Sequence, residues 1–243
     1  MTTKYVDPID GDDNNTGDTE GSPYKTLHKA LENLADTTQD DNFFYITGVH
    51  EIRLMRGNAL ISKGIKNKDY IIFTIFGRQN AHINFIGEVD FLTLQSYGIG
   101  ASVVAKMYNI TVKNSSFSTL QFCYLSDYPP IDLTLHNCAI ASFDKLFGFS
   151  GNQLLETKVK LQRVSSDSLL PENLPNYFED TQNAIGPTKV IIHPTTVVAK
   201  AEELVLGNGA LLPLRTNDPW TFNALTSDFV AEGWINDASY LEG

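Results

Sequence analysis

Four short segments in the middle of the chain are spelled alike: Ile110-Thr-Val112-Lys-Asn114, Leu133-Thr-Leu135-His-Asn137, Val159-Lys-Leu161-Gln-Arg163 and Val190-Ile-Ile192-His193. They follow one another at offsets of 23, 26 and 31 residues. The first three alternate apolar and polar residues as a half-buried strand does, and the fourth is a short apolar run. A unit this short cannot bury its apolar side alone, so units repeated at such a spacing stack and share one core. The spacing predicts an inward column of Val112, Leu135 and Leu161. Thr111, Lys113, Thr134, His136, Lys160 and Gln162 then face outward, because the side-chain period of a strand is two. Asn114 and Asn137 fall at matching turn positions, where stacked amides can bond along the pile. The longer last interval accommodates an excursion through "SLLPENLPNYFEDTQNAIGP", rich in Pro and Asn.

The remainder of the chain agrees with this pattern. From residue 43 onward come "FFYITG", "YIIFTIFG", "HINFIG", "DFLTLQS", "LQFCYL" and "KVIIHPTTVV", all strand-like. Helical periodicity is sustained only before them. Many short strands also suit a sandwich or jelly roll, but those architectures leave the repeat register unexplained. The reading is all-β, with about five to seven stacked coils.

A chain of 243 residues forms one sizeable domain. Its net charge of -11 and scattered Lys and Arg argue against a nucleic-acid surface and against an anionic membrane. No apolar run has the length of a membrane span. The first residues, Met1 to Tyr5, lack the apolar core of a secretion signal, so synthesis in a cytoplasm is expected. Cys123 and Cys138, in "LQFCYL" and "LTLHNCAI", are expected to be reduced core thiols.

Residues 5–31, "YVDPIDGDDNNTGDTEGSPYKTLHKAL", form the most patterned stretch. Tyr24, Leu27, Ala30, Leu31 and Leu34 share one face of a helix, with Ser22 expected as its N-cap and Pro23 at its first position. Lys4-Tyr5-Val6 reads as a brief strand. Between them Asp10, Asp12 and Asn14 alternate as calcium-loop ligands do. Asn15 stands where such a loop needs Gly, and Gly21 where it needs Glu, so the turn-forming role of Asx and Gly residues is preferred.

"YVDP", "GDDNNTG" and "SPYKTLHKAL", in this order, resemble the leading segment of right-handed parallel β-helix proteins of the pectate-lyase-like superfamily. The likeness covers about the first 34 residues. It implies a short right-handed parallel β-helix whose first helix caps the stack. Residues 1–40 would hold the loop and capping helix, 41–199 the coils, and 200–243 a C-terminal cap or assembly segment. It also implies kinship with bacteriophage tail spikes, fibres and capsid decorations. The expected protein is then a virion structural component, homotrimeric, touching other virion proteins and cell-surface polysaccharide, with no nucleic acid and no membrane insertion. Polysaccharide binding or cleavage on the same fold is the alternative.

Cleavage of glycosidic bonds wants two carboxyl groups across one groove. Glu88 and Asp90, in "GEVD", are the nearest such pair and read as a solvated bend. Lys113, His136 and Lys160 would line a mildly basic strip if the register holds. Arg163 is a strand-end base candidate with only Asp167 close behind it. The five histidines (His28, His50, His82, His136 and His193) have no metal-ligand spacing. No catalytic residue, cofactor or metal is therefore assigned. The C-terminal stretch contains Trp220, Phe222, Phe229, Trp234 and Tyr240, with one or two helical turns expected over 226–231. It either closes the last coil or packs between subunits.

Overall fold

The computed structural model describes residues 1–78, 80–95, 103–126, 131–149, 158–162, 164–166, 189–192, 197–199, 203–205, 211–213, 219–221 and 234–235. The fold is all-β with parallel sheets. Thr2–Val6 (β1) precedes the helix Leu27–Glu32 (α1), followed by Thr38–Gln39 (β2), Phe43–Leu54 (β3), Gly57–Ile61 (β4) and Gly64–Gly77 (β5). Ala81–Phe85 (β6), Leu92–Gln95 (β7) and Val103–Tyr108 (β8) come next. They are followed by Thr111–Asn114 (β9), Gln121–Ser126 (β10), Ile131–His136 (β11), Ala139–Ala141 (β12) and Lys145–Phe149 (β13). Lys158–Gln162 (β14), Ser165–Ser166 (β15), Lys189–Ile192 (β16) and Val197–Ala199 (β17) continue the series. Glu203–Val205 (β18), Leu211–Pro213 (β19), Pro219–Thr221 (β20) and Trp234–Ile235 (β21) complete it.

Pairing follows a fixed rotation among three ladders. The second halves of β3 and β5 run into β8, β11, β14 and β16, all parallel. β4, β6, β9, β12, β15 and β17 form a second parallel ladder. The first half of β5 runs into β7, β10 and β13 as the third. The bend is locked by Asn67, a buried amide whose Oδ1 accepts from Gln95 N at 2.7 Å and whose Nδ2 donates to the carbonyls of Asp69 and Gln95.

Between the ladders lies one continuous core. On the first, inward columns run Ile71–Val103–Ile131, Phe73–Ala105–Leu133 and Ile75–Met107–Leu135, all buried. Ala105 sits between the larger Phe73 and Leu133, and the three columns together fill the interior. Phe91 stacks on Phe122 at 5.6 Å, with Phe85 and Phe143 closing an aromatic cluster around them. Cys123 and Cys138 are free and buried, and burial pushes the Cys138 thiol up to about 11.

The structure corrects the expected column. Leu135 does pair with Leu161, and Val159 with Val190, at the 26- and 31-residue offsets read from the sequence. Val112 does not join them: it pairs with Ile83 and Ile140 on the second ladder. The partner of Leu135 on the other side is Met107. Alternation is the same on every ladder, so a two-residue period carries no mark of which ladder a strand belongs to.

Helix α1 is also shorter than expected. It begins at Leu27 with Thr26, not Ser22, as its N-cap: Lys29 N donates to Thr26 Oγ1 at 3.1 Å. Tyr24 bridges Val6 as extended chain instead. Tyr24, Leu27, Ala30, Leu31 and Leu34 are all buried, but only Leu27, Ala30 and Leu31 of the expected helix face lie on the helix. The acidic loop before the helix is tied together by its own side chains. Asp13 accepts from Lys25 N, Thr26 N and Thr26 Oγ1, each at 2.9 Å. Asp12 accepts from Asn14 N, Asp7 from Ile9 N and Asp10 N, and Asn15 Nδ2 donates to Pro23 O. Gly17 is required: its φ is +66°, and a Cβ there would sit 2.3 Å from the Tyr24 ring.

At the far end, β20 adds antiparallel to β17 and β21 adds parallel to β16. Strands β20 and β21, which hold Trp220 and Trp234, thus extend both main sheets. The helical turns expected over 226–231, the excursion over 168–187, Arg163, Asp167 and His193 lie outside the described residues.

Candidate functional site

Where the chain turns from the first ladder to the second, the same residue type stands on three successive turns. Asn80, Asn109 and Asn137 have φ of 54°, 54° and 53°. This left-handed conformation is unfavourable for most side chains, and Asn tolerates it best after Gly. Asn137 Nδ2 donates to Asn109 Oδ1 at 2.9 Å across 28 residues of sequence, and Asn109 N donates to His136 O at 3.0 Å. The amides therefore line up along the stacking direction.

An open groove of about 1170 Å³ lies against this corner, bordered by Ile9, Met55, Arg56, Asn58, Phe76, Arg78, His82 and the three Asn residues. A smaller recess of about 310 Å³ shares Asn80, His82, Asn109 and Asn137 and reaches Thr111. Beside it, on the outer side of the first ladder, Phe76, Tyr108 and His136 occupy one row. The rings lie 6.1 Å and 5.8 Å apart. Phe76 is 38% exposed and Ile72 39%.

Both arginines at the groove are matched by acids of the N-terminal loop. Arg56 Nε meets Asp7 Oδ2 at 3.2 Å and its guanidinium also pairs with Asp10. Arg78 Nη1 donates to Glu20 Oε2 at 3.1 Å. Burial alone would raise the Asp7 carboxyl, but the N–H groups of Asp10 and Ile9 and the Arg56 guanidinium outweigh it and hold it below the usual carboxylate range. Glycoside hydrolysis needs one carboxyl kept protonated as general acid. Asp7, Asp10 and Glu20 each contact a guanidinium group of the groove.

The residues singled out in the sequence are placed as follows. Asp10 and Asp12 direct their carboxylates to Arg56 and to Asn14. Asp90 accepts from Gln121 N at 2.9 Å in the turn between β6 and β7, and burial raises its proton affinity; Glu88 beside it is exposed. Those two acids lie at a different corner from the groove. The basic strip does not assemble: Lys113 is on the second ladder, whereas His136 and Lys160 are on the first. Asn114 does not stack on Asn137. It is buried at the end of β9, where its Oδ1 accepts from Ser116 N and Ser116 Oγ.

Of the groove residues, Asn80, Asn109, Arg56, Arg78 and Phe76 were not legible as a site in the sequence. One signal was present: Tyr108-Asn109-Ile110 and His136-Asn137-Cys138 match in type, and aligning them yields the true register. Among histidines, His28 packs edge-on against Phe44 at 4.8 Å, and buried His50 contacts Thr47 O at 2.7 Å through Nε2. No helix among the described residues is long and apolar enough to cross a membrane. No family model, no curated protein and no solved structure matches this chain.

Proposed function

We propose that the chain is a short right-handed parallel β-helix serving as a non-enzymatic virion structural protein of a bacteriophage. Its place would be a spike, a fibre, or a capsid or tail decoration, and it would act as a homotrimer through self-assembly and surface binding. The observation that carries this reading is the outer side of the first ladder. A parallel sheet there presents Ile72, more than a third exposed, in line with Val104 on the next strand and away from the groove that Phe76 borders. Such a face is suited to lie against copies of itself or other virion proteins, since the buried core of an interface is more apolar than the surface around it.

Light scattering and electron microscopy of the purified chain test it. Particles of three chains with threefold symmetry are expected, and a monomer at high concentration overturns self-trimerisation. The polysaccharide reading is favoured by the groove with its amide row and Phe76. Binding agrees with the rim chemistry better than cleavage does. Steady release of reducing ends or of unsaturated sugar products from capsular or pectic polysaccharide would overturn the non-enzymatic assignment.

A further inference from the structure

We infer that the groove along Asn80, Asn109 and Asn137 is a binding site for an uncharged glycan lying parallel to the stacking axis. This rests on the surface-binding part of the function proposed above and specifies its ligand. The direction follows from the amides. They sit on successive turns of chain, and neighbouring parallel strands are about 4.8 Å apart, so their polar atoms form a row along the stack. Each Asn side chain has two N–H donors and a carbonyl acceptor. The ladder bond from Asn137 to Asn109 uses one donor and one lone pair, leaving further sites on the exposed side. Phe76, 38% exposed at the same groove, supplies an apolar ring against which the C–H face of a sugar can lie. An apolar platform beside fixed amides meets both faces of a hydroxyl-rich ring.

The charge preference follows from the rim. Arg56 and Arg78 are already paired with Asp7, Asp10 and Glu20, of which Asp10 and Glu20 are exposed at 67% and 44% of their side chains. Two guanidinium groups against three carboxylates leave no net positive charge to attract a uronate or sulfated sugar, and the exposed acids repel one.

The test is calorimetric titration of the full-length protein with neutral glucan and mannan oligosaccharides, and with oligogalacturonate as the acidic probe. A neutral oligosaccharide is expected to bind and oligogalacturonate not to. Asn109→Gly removes the amide while keeping a residue at ease with positive φ, and Phe76→Ser removes the platform. Each is expected to weaken binding about tenfold or more, with an unchanged β-type circular dichroism spectrum and a cooperative melt showing that the fold survives. Asp10→Asn combined with Glu20→Gln frees the guanidinium groups and is expected to admit oligogalacturonate. Failure of every neutral oligosaccharide to bind, stronger binding of oligogalacturonate to the unaltered protein, or full affinity in both folded single variants overturns the inference. Light scattering on the same samples separates the two proposals. Glycan binding by a monomer sinks trimeric assembly alone, and a trimer that binds no glycan sinks this inference alone.

Discussion

The two ends of the stack are closed by different means. At the N-terminal end a helix lays Leu27, Ala30 and Leu31 over the core, all with no exposed surface. The loop before it is held by side-chain acceptors aimed at backbone N–H groups. At the other end the chain adds strands: β20 pairs along β17 and β21 along β16. A stack of strands exposes two things at an end, an apolar cross-section and a row of unpaired backbone groups. The helix addresses the first, and β20 and β21 address the second, as β1 and β2 do along β3 beside the helix. Apolar coverage is worth about 1.5–3 kcal/mol per large side chain, whereas an open edge chiefly risks pairing with other molecules. Loss of the two ends should therefore look different: unfolding at one, association at the other.

Deleting residues 216–243 should have the largest effect. With β20 and β21 gone, β16 and β17 lose their pairing partners on that side, and the truncated chain should form large assemblies with its β-type circular dichroism retained. Sedimentation velocity distinguishes this from a folded monomer or an intact oligomer. Folded monomer after truncation would mean that the tail joins subunits. Leu31→Asp should rank next. It places an unpaired charge where the helix meets the core, so a loss of about 4 kcal/mol or more in urea unfolding is expected, without added association.

Thr26→Ala should cost about 1 kcal/mol, because it removes the acceptor for Lys29 N and a donor to Asp13. Asp13→Asn should cost a similar or smaller amount by weakening charge-assisted bonds to the same turn. A double-mutant cycle should show coupling between the two, since they share one contact. The smallest effect is that of acid. The carboxyl of Asp7 is held below its usual range in the folded chain. Its contribution is therefore complete above the ordinary carboxylate range and disappears as pH falls through the lowered value. Between about pH 6 and about pH 3 the unaltered chain should lose more stability than Asp7→Asn does, measured by urea unfolding at each pH.

How far the molecule could be read beforehand depended on the kind of signal. The segments "HINFIG", "LQFCYL" and "DLTLHNCAI" announced themselves as strand-like, and they hold β6, β10 and, in the last, β11 and the start of β12 on either side of the Asn137 turn. The helix face announced itself by spacing, and its five apolar residues are all buried, though only Leu27, Ala30 and Leu31 lie on the helix. The helix start was misplaced because Ser22-Pro23 has the composition of a cap, while the acceptor that Lys29 N finds is Thr26. Val103–Tyr108 passed unnoticed, and with it went the true partner of Leu135. The groove residues come from the N-terminal loop, β4, β5, β6 and the turns after β3, β5, β8 and β11, and no short stretch contains enough of them to look like a site.

By itself, the sequence determined what is local. Alternation of apolar residues made these segments strands, the Asx and Gly residues of the acidic loop made its turns, and Leu27, Ala30 and Leu31 on one face made a short helix worth burying. Tertiary structure alone decided which strand lies on which ladder, because every ladder accepts the same two-residue period. It also decided that Asn109 rather than Asn114 stands over Asn137, and that Arg56 and Arg78 meet the acids of a loop 46 and 58 residues away. These are matters of register and proximity, set by how successive turns of chain pack on a shared core.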